Sequence, residues 1–208
     1  MYSRRIGDET LAFGHEGILY KRSFIMYDRS TQSLWVHVSG EAIKGKRKGQ
    51  QLKFLPSVIT TWGDWKMRHL HTTVLEGRKA RGMMGDYRLK RELGRFGLSV
   101  GDGKQVRLYP FPILKERPVL LDTFGGKPVV VVFDAQTTVA RAFRSGGRKL
   151  ARKGDVLVDD KGGAWDWFTG LPKNAKAELA LEAVPATVWL TDRWKAHNPE
   201  GEIYAPKK

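Results

Sequence analysis

The spacing of tryptophan, glycine and proline recurs in two distant parts of the chain. Trp35 and Trp165 are each followed by a glycine five residues later, and Pro56 and Pro185 each precede a tryptophan by nine residues. The matched stretches contain all seven tryptophans: Trp35, Trp62, Trp65, Trp165, Trp167, Trp189 and Trp194. Two copies are too few for a solenoid, which needs at least three repeats. The spacing therefore predicts two diverged copies of one β-β-β-α unit.

Short β-type runs separated by turn residues indicate the fold class. Glycine and proline contribute 23 and 9 of the 208 residues. The runs between them are rich in Val, Tyr, Trp and Thr, which is typical of strands. Helical spacing occurs in few places: at 57–69, where Ser57 can cap a helix, at 187–197 and at 85–96. We therefore predict an α+β fold, mainly β, with the two copies packed as one globular unit.

The length of 208 residues suits one large domain. We expect a single domain over 1–208, built of pseudo-repeats at about 10–76 and 106–204 that a basic connector at about 77–105 joins. The chain has no cysteine, which excludes disulfides, thiolate metal sites and cysteine nucleophiles. No apolar run is long enough to span a bilayer and no secretory signal is recognisable, so the cytoplasm is the default location.

Several stretches carry the motifs of a known family. They lie at 13–20, 26–35, 40–43 and 55–62 in the first half, and at 122–132 and 140–143 in the second. These motifs resemble the prokaryotic domain-of-unknown-function family 3179. The resemblance implies a bacterial or archaeal protein without an established activity, from a family that is often exported. Members usually carry a Tyr-Cys-Pro-x-Cys stretch, so the resemblance implies a truncated or shortened member here.

Histidine and aspartate side chains provide weak candidates for catalysis. Zinc or non-haem iron could be bound by His37 together with His69 or His71, with Asp28 as the carboxylate ligand. No H-x-E or H-E-x-x-H spacing supports such a site. Alternatively, His69 packs beside Trp65 and Asp28 caps a turn between strands. We therefore expect no metal and no cofactor, and catalytic roles for Asp28, His37 and His69 stay open.

Positive charge is the strongest signal without a motif. The formal net charge is +15, and basic residues are concentrated at 44–48, 78–95 and 141–153. Such blocks attract nucleic acid, anionic lipid or acidic polysaccharide, although no known nucleic-acid-binding motif accompanies them. Alternatively, these side chains are simply solvated. The candidate polyanion-binding residues are Lys46, Arg47, Lys48, Arg148, Lys149, Arg152 and Lys153.

Three functions follow from these features. The absence of a catalytic motif favours a non-catalytic binding or structural module over an enzyme. The alternatives are an enzyme with a carboxylate/His or metal site between the two halves, and a non-specific nucleic-acid or polyanion binder. Weak, sequence-independent polyanion binding is the one partner interaction that we expect, because no motif identifies another partner.

Overall fold

Short strands dominate the computed structural model, which describes residues 1–74, 92–102 and 105–206. The predicted class, α+β and mainly β, is confirmed. The expected connector and the third helix fall partly on residues 75–91 and 103–104, which lie outside the described residues. The described parts form four sheets of three or four strands and one small hairpin.

The N-terminal part is an antiparallel meander with a small hairpin before it. The hairpin consists of β1 (Arg5–Ile6) and β2 (Glu9–Thr10). Four strands, which we call the first meander, then pair in chain order: β3 (Phe13–Tyr20), β4 (Ser23–Asp28), β5 (Leu34–Val36) and β6 (Ala42–Lys44). Leu11, Trp35, Ala42 and Leu52 form its buried core. Trp35 and Ala42 pair across β5 and β6, whereas Leu11 and Leu52 lie in segments outside the strands.

Helix α1 (Trp62–Arg68) begins later than its sequence pattern predicts. Thr61, rather than Ser57, is the N-cap residue, and its hydroxyl accepts a hydrogen bond from the Asp64 amide at 3.2 Å. Thr is a favourable N-cap residue because its side chain satisfies an amide that has no partner within the helix. The Asp64 carboxylate in turn accepts a hydrogen bond from Arg68 at 3.2 Å. This pair, one turn apart, stabilises a helix of only seven residues.

The C-terminal part contains three sheets. A four-strand sheet has the order β15-β7-β8-β16, a central sheet has the order β11-β10-β9, and a second meander has the order β12-β13-β14. The elements, in chain order, are a 3-10 helix (Leu93–Arg95), β7 (Phe96–Asp102), β8 (Gln105–Pro110), α2 (Phe111–Glu116), β9 (Val119–Phe124), β10 (Lys127–Asp134), β11 (Val139–Arg144), β12 (Ala151–Lys153), β13 (Val156–Val158), β14 (Ala164–Asp166), β15 (Ala186–Leu190), α3 (Thr191–His197) and β16 (Glu202–Ile203).

Strand β10 lies at the centre of the main core. Val129, Val131 and Phe133 belong to a cluster with residues of the four-strand sheet and α2. Val130 and Val132, which point the other way, belong to a cluster with the tryptophans of the second meander. A strand buried on both faces needs a continuous apolar run, which is the pattern that residues 128–133 show. The central sheet therefore forms the middle of three layers.

Two segments differ from their sequence patterns. Residues 96–102, expected in the connector, form β7, an inner strand of the four-strand sheet. A Cβ at Gly97 would lie 2.9 Å from the Tyr109 carbonyl oxygen, so glycine there permits close strand packing rather than a turn. Residues 187–190, expected in a helix, belong to β15, and α3 starts only at Thr191.

The duplication stays a prediction. Both meanders bury a tryptophan and place a glycine with positive φ five residues later, Gly40 at 69° and Gly170 at 77°. Their continuations differ, because β15 pairs with β7, whereas residues 56–60 are not part of a strand. Trp194 is fully buried, whereas Trp65 is only half-buried and packs against the core of the second meander.

Candidate functional site

A cleft separates the first meander from the four-strand sheet and α3. It consists of two adjoining cavities of about 420 and 510 Å³, which is within the size range of small-molecule sites. Both cavities are lined by Tyr2, Val38, Phe54, Thr187, Trp189 and His197. The first half of the chain therefore provides one wall and the second half provides the other.

Aromatic side chains form the walls of the cleft. The Tyr2 and Phe54 rings lie 5.1 Å apart, and the Tyr2 hydroxyl donates a hydrogen bond to the Val38 carbonyl at 2.5 Å. Burial raises the pKa of Tyr2 to about 12, so its hydroxyl stays protonated. On the opposite wall, the Trp189 ring of β15 lies 5.6 Å from the His197 ring of α3. These contacts hold the aromatic rings in place.

The turn between β3 and β4 closes one end of the cleft. Its residues, Lys21 and Arg22, have φ values of 47° and 65°. Two contacts fix this turn on α3: the Lys21 ammonium donates a hydrogen bond to the Ala196 carbonyl at 2.8 Å, and the His197 Nε2 atom lies 3.1 Å from the Lys21 carbonyl oxygen. The first meander is therefore joined to α3 by contacts between residues 175 and 176 positions apart in the sequence.

The larger cavity has a positive lining. Lys21, Arg22 and Arg193 line it, together with His37 and His197. Within the described part of the chain, no aspartate or glutamate is among its lining residues. Burial lowers the pKa of both histidines, so they are neutral at pH 7. Lys21, Arg22 and Arg193 therefore carry the positive side-chain charge of this lining.

Asp28, a catalytic candidate, ends β4 and is fully buried. Its carboxylate accepts hydrogen bonds from the Trp35 indole at 2.9 Å, the Thr31 amide at 2.6 Å and the Ser30 hydroxyl at 3.0 Å. Burial alone would raise the pKa of Asp28, but these hydrogen bonds outweigh it and lower the pKa to about 2. The contacts are those of a turn-capping carboxylate.

The other two catalytic candidates lie apart from Asp28. His37 lines the larger cavity and packs against Phe24 in a tilted arrangement, with ring centres 4.6 Å apart. His69 is the C-cap residue of α1, and its ring packs against that of Trp65, with ring centres 3.9 Å apart. Among the described residues there is no group of three or more histidines, aspartates and glutamates that could hold a metal ion. Of the three candidates, only His37 faces the cleft.

The polyanion-binding candidates divide into two sets. The three arginines contact the fold: Arg47 forms an ion pair with Glu9, Arg148 lies over the Trp165 ring at 5.3 Å, and Arg152 lies over the Trp167 ring at 4.1 Å. The other set, which we call the exposed lysines, makes no side-chain hydrogen bond or ion pair within the described residues. It consists of Lys46, Lys48, Lys149 and Lys153.

Sequence reasoning missed Lys21, Arg22 and Arg193 as site residues. The Lys-Arg pair is not a hairpin signal, because two-residue hairpin turns prefer Asn-Gly and other glycine-containing pairs. Nothing local indicates that the turn contacts α3, because the joined residues Lys21 and His197 lie 176 positions apart.

Residues 1–90 match a protein family described as "Protein of unknown function (DUF3179)". The match confirms the resemblance for the motifs between residues 13 and 62, whereas the motifs at 122–132 and 140–143 lie outside the matched residues. Neither a curated protein nor a solved structure matches the chain. None of the helices in the described residues combines the length and the apolar character needed to cross a membrane.

Proposed function

Because the family that residues 1–90 match is one of unknown function, we propose the function of the protein from the cleft: it is a non-catalytic binding module that holds a small ligand there. The observation that carries this proposal is the concave, aromatic cleft between the two halves of the chain. Ligand sites are typically concave and apolar, with a few polar groups that orient the ligand.

The carboxylates support a non-catalytic role. A general acid or base works best when its pKa lies near the operating pH. The pKa values of Asp28, Asp134 and Asp166 are instead lowered, away from neutral pH. Burial would raise the pKa of each, but hydrogen bonds from turn residues lower it. These aspartates stabilise turns, and none of the three lines the cleft.

A neutral fluorescent probe, N-phenyl-1-naphthylamine, tests the proposal. We expect saturable binding of one probe per chain, with an affinity that falls by about tenfold in Trp189→Ala. Trp62→Ala is the matched control, because Trp62 is 47% exposed and lines neither cavity. Equal effects of the two substitutions, or no saturable binding, would contradict the proposal.

Non-specific polyanion binding is the second candidate, and the exposed lysines support it. Their ammonium groups are free of ion pairs within the described part of the chain, so they can contact phosphate or sulfate without breaking an interaction of the fold. The candidate arginines contribute less, because their guanidinium groups already contact aromatic rings or carboxylates.

A further inference from the structure

We infer that the cleft ligand is a small organic anion, with its charged group against Lys21, Arg22 and Arg193 and its apolar body against the aromatic wall. This inference rests on the proposed function of the cleft and specifies the chemical class of the ligand. Carboxylates, sulfonates and phosphate esters share the chemistry that the three basic side chains recognise.

The basic side chains retain donors for an anion. Arg22 is exposed and makes no side-chain hydrogen bond or ion pair among the described residues. The Lys21 ammonium has one acceptor, the Ala196 carbonyl, so two of its three donors remain. Arg193 uses its Nε atom toward Asp192 at 3.3 Å, which leaves its terminal amino groups. No aspartate or glutamate of the described chain is among the lining residues of this cavity.

The same cavity has an apolar side. Val38, Phe54 and Trp189 line it together with the basic residues. An inorganic anion would contact only the charged rim, whereas an aromatic or alkyl body would also cover this apolar surface. Burial of that surface is favourable because it removes apolar area from water. The lining therefore fits a ligand with one charged end and one apolar end.

The backbone of the basic turn provides an independent observation. A two-residue hairpin turn with positive φ at both positions strongly prefers Asn-Gly, because glycine has no Cβ to clash. Here Lys21 and Arg22 occupy these positions, with φ of 47° and 65°. Strained residues of this kind concentrate at ligand clamps and other functional sites. Lys21 and Arg22 in this turn are therefore less favourable for stability than glycine would be, and they place two basic side chains at the cleft.

Two probes of similar shape and different charge test the inference. They are 8-anilino-1-naphthalenesulfonate, an anion, and the neutral N-phenyl-1-naphthylamine. We expect Arg22→Gly to raise the melting temperature, because glycine relieves the positive φ, and to weaken binding of the anion about threefold to tenfold. Binding of the neutral probe should not change. Arg193→Gln should weaken anion binding in the same way without altering the turn.

The control variant is Arg117→Gln, which removes an exposed charge that lines neither cavity. It should leave both probes unaffected. If the two probes bind equally and neither cleft variant discriminates between them, the inference fails while the proposed binding function stands. If neither probe binds, both fail. Should Arg22→Gly lower the melting temperature, the argument from strain is wrong, and Arg193→Gln decides whether the charge recognition is correct.

Discussion

The substitution Asp28→Asn separates a structural role of this carboxylate from a catalytic one. Asn keeps the size of Asp and one carbonyl oxygen, which can still accept the hydrogen bond from the Thr31 amide. Its NH₂ group then faces the Trp35 indole N–H, which lies 2.9 Å from a carboxylate oxygen in the native protein. Two donors would meet inside a fully buried site. We therefore expect Asp28→Asn to destabilise the fold.

The magnitude follows from two contributions. A buried donor without an acceptor costs about 1–3 kcal/mol. Because the pKa of Asp28 is lowered to about 2 in the folded protein, against about 3.9 when unfolded, its ionised form contributes at most about 2.6 kcal/mol at neutral pH. The two contributions overlap, because the Trp35 hydrogen bond enters both of them. Together, the substitution should cost about 2–4 kcal/mol at pH 7.

The pH dependence has a definite sign. A lowered folded-state pKa stabilises the protein above the unfolded value of about 4, and this stabilisation is lost as the pH falls through about 2. Urea unfolding at several pH values should therefore show the difference between native protein and Asp28→Asn shrinking on acidification. A variant as stable as the native protein at pH 7, or a difference independent of pH, would refute the reasoning.

Asp159→Asn is the matched control in the second meander. The Asp159 carboxylate accepts hydrogen bonds from the Lys161 and Gly163 amides through one oxygen. The Trp165 indole, however, donates to the Leu179 carbonyl. Asn can preserve both amide bonds without facing an indole donor, so Asp159→Asn should cost less than Asp28→Asn. Equal losses would show that the donor clash is not the cause.

Three further predictions address the core, the charge and metal binding. Trp194→Ala should lower the free energy of unfolding by about 3–5 kcal/mol, because the side chain is fully buried and its indole donates to the Ser99 hydroxyl at 2.9 Å. Trp65→Ala should lower it less, because Trp65 is only half-buried. Equal losses of the two variants in urea unfolding would contradict this prediction. Replacing the exposed lysines by Gln should weaken the salt dependence of heparin binding and leave the melting temperature unchanged. Arg152→Gln should lower the melting temperature, because the Arg152 guanidinium lies over the Trp167 ring. Elemental analysis after dialysis should find less than one transition metal ion per chain, and a stoichiometric metal would overturn this expectation.

The sequence was most informative where local pattern and burial coincide. The apolar run at 129–133 is a buried strand, as its continuous Val residues indicate. Asp28, seven residues before Trp35, ends β4 and caps the turn that follows, which Ser30 and Thr31 favour. In these segments, residues close in the chain determine the structure.

Other features depend on contacts between distant residues and could not be predicted. Gly97 and Gly101 occupy positions of the inner strand β7 where neighbouring atoms leave no room for a Cβ. In the sequence, by contrast, glycine suggests a turn. The helix that the sequence predicts over 187–197 includes Trp189, yet pairing with Gly97 places this residue in β15. The cleft itself requires the β3–β4 turn to contact α3 from the other end of the chain.

The binding role of the cleft can be tested most directly through the indole N–H resonances of the seven tryptophans. In a ¹H–¹⁵N spectrum of the full chain, Trp189→Phe assigns the Trp189 signal. On titration with 8-anilino-1-naphthalenesulfonate, the Trp189 signal should shift and saturate, because this ring lines both cavities. Signals of the fully buried Trp35 and Trp194 should stay in place. A Trp189 signal that does not move, while that of the exposed Trp62 does, would contradict binding in the cleft.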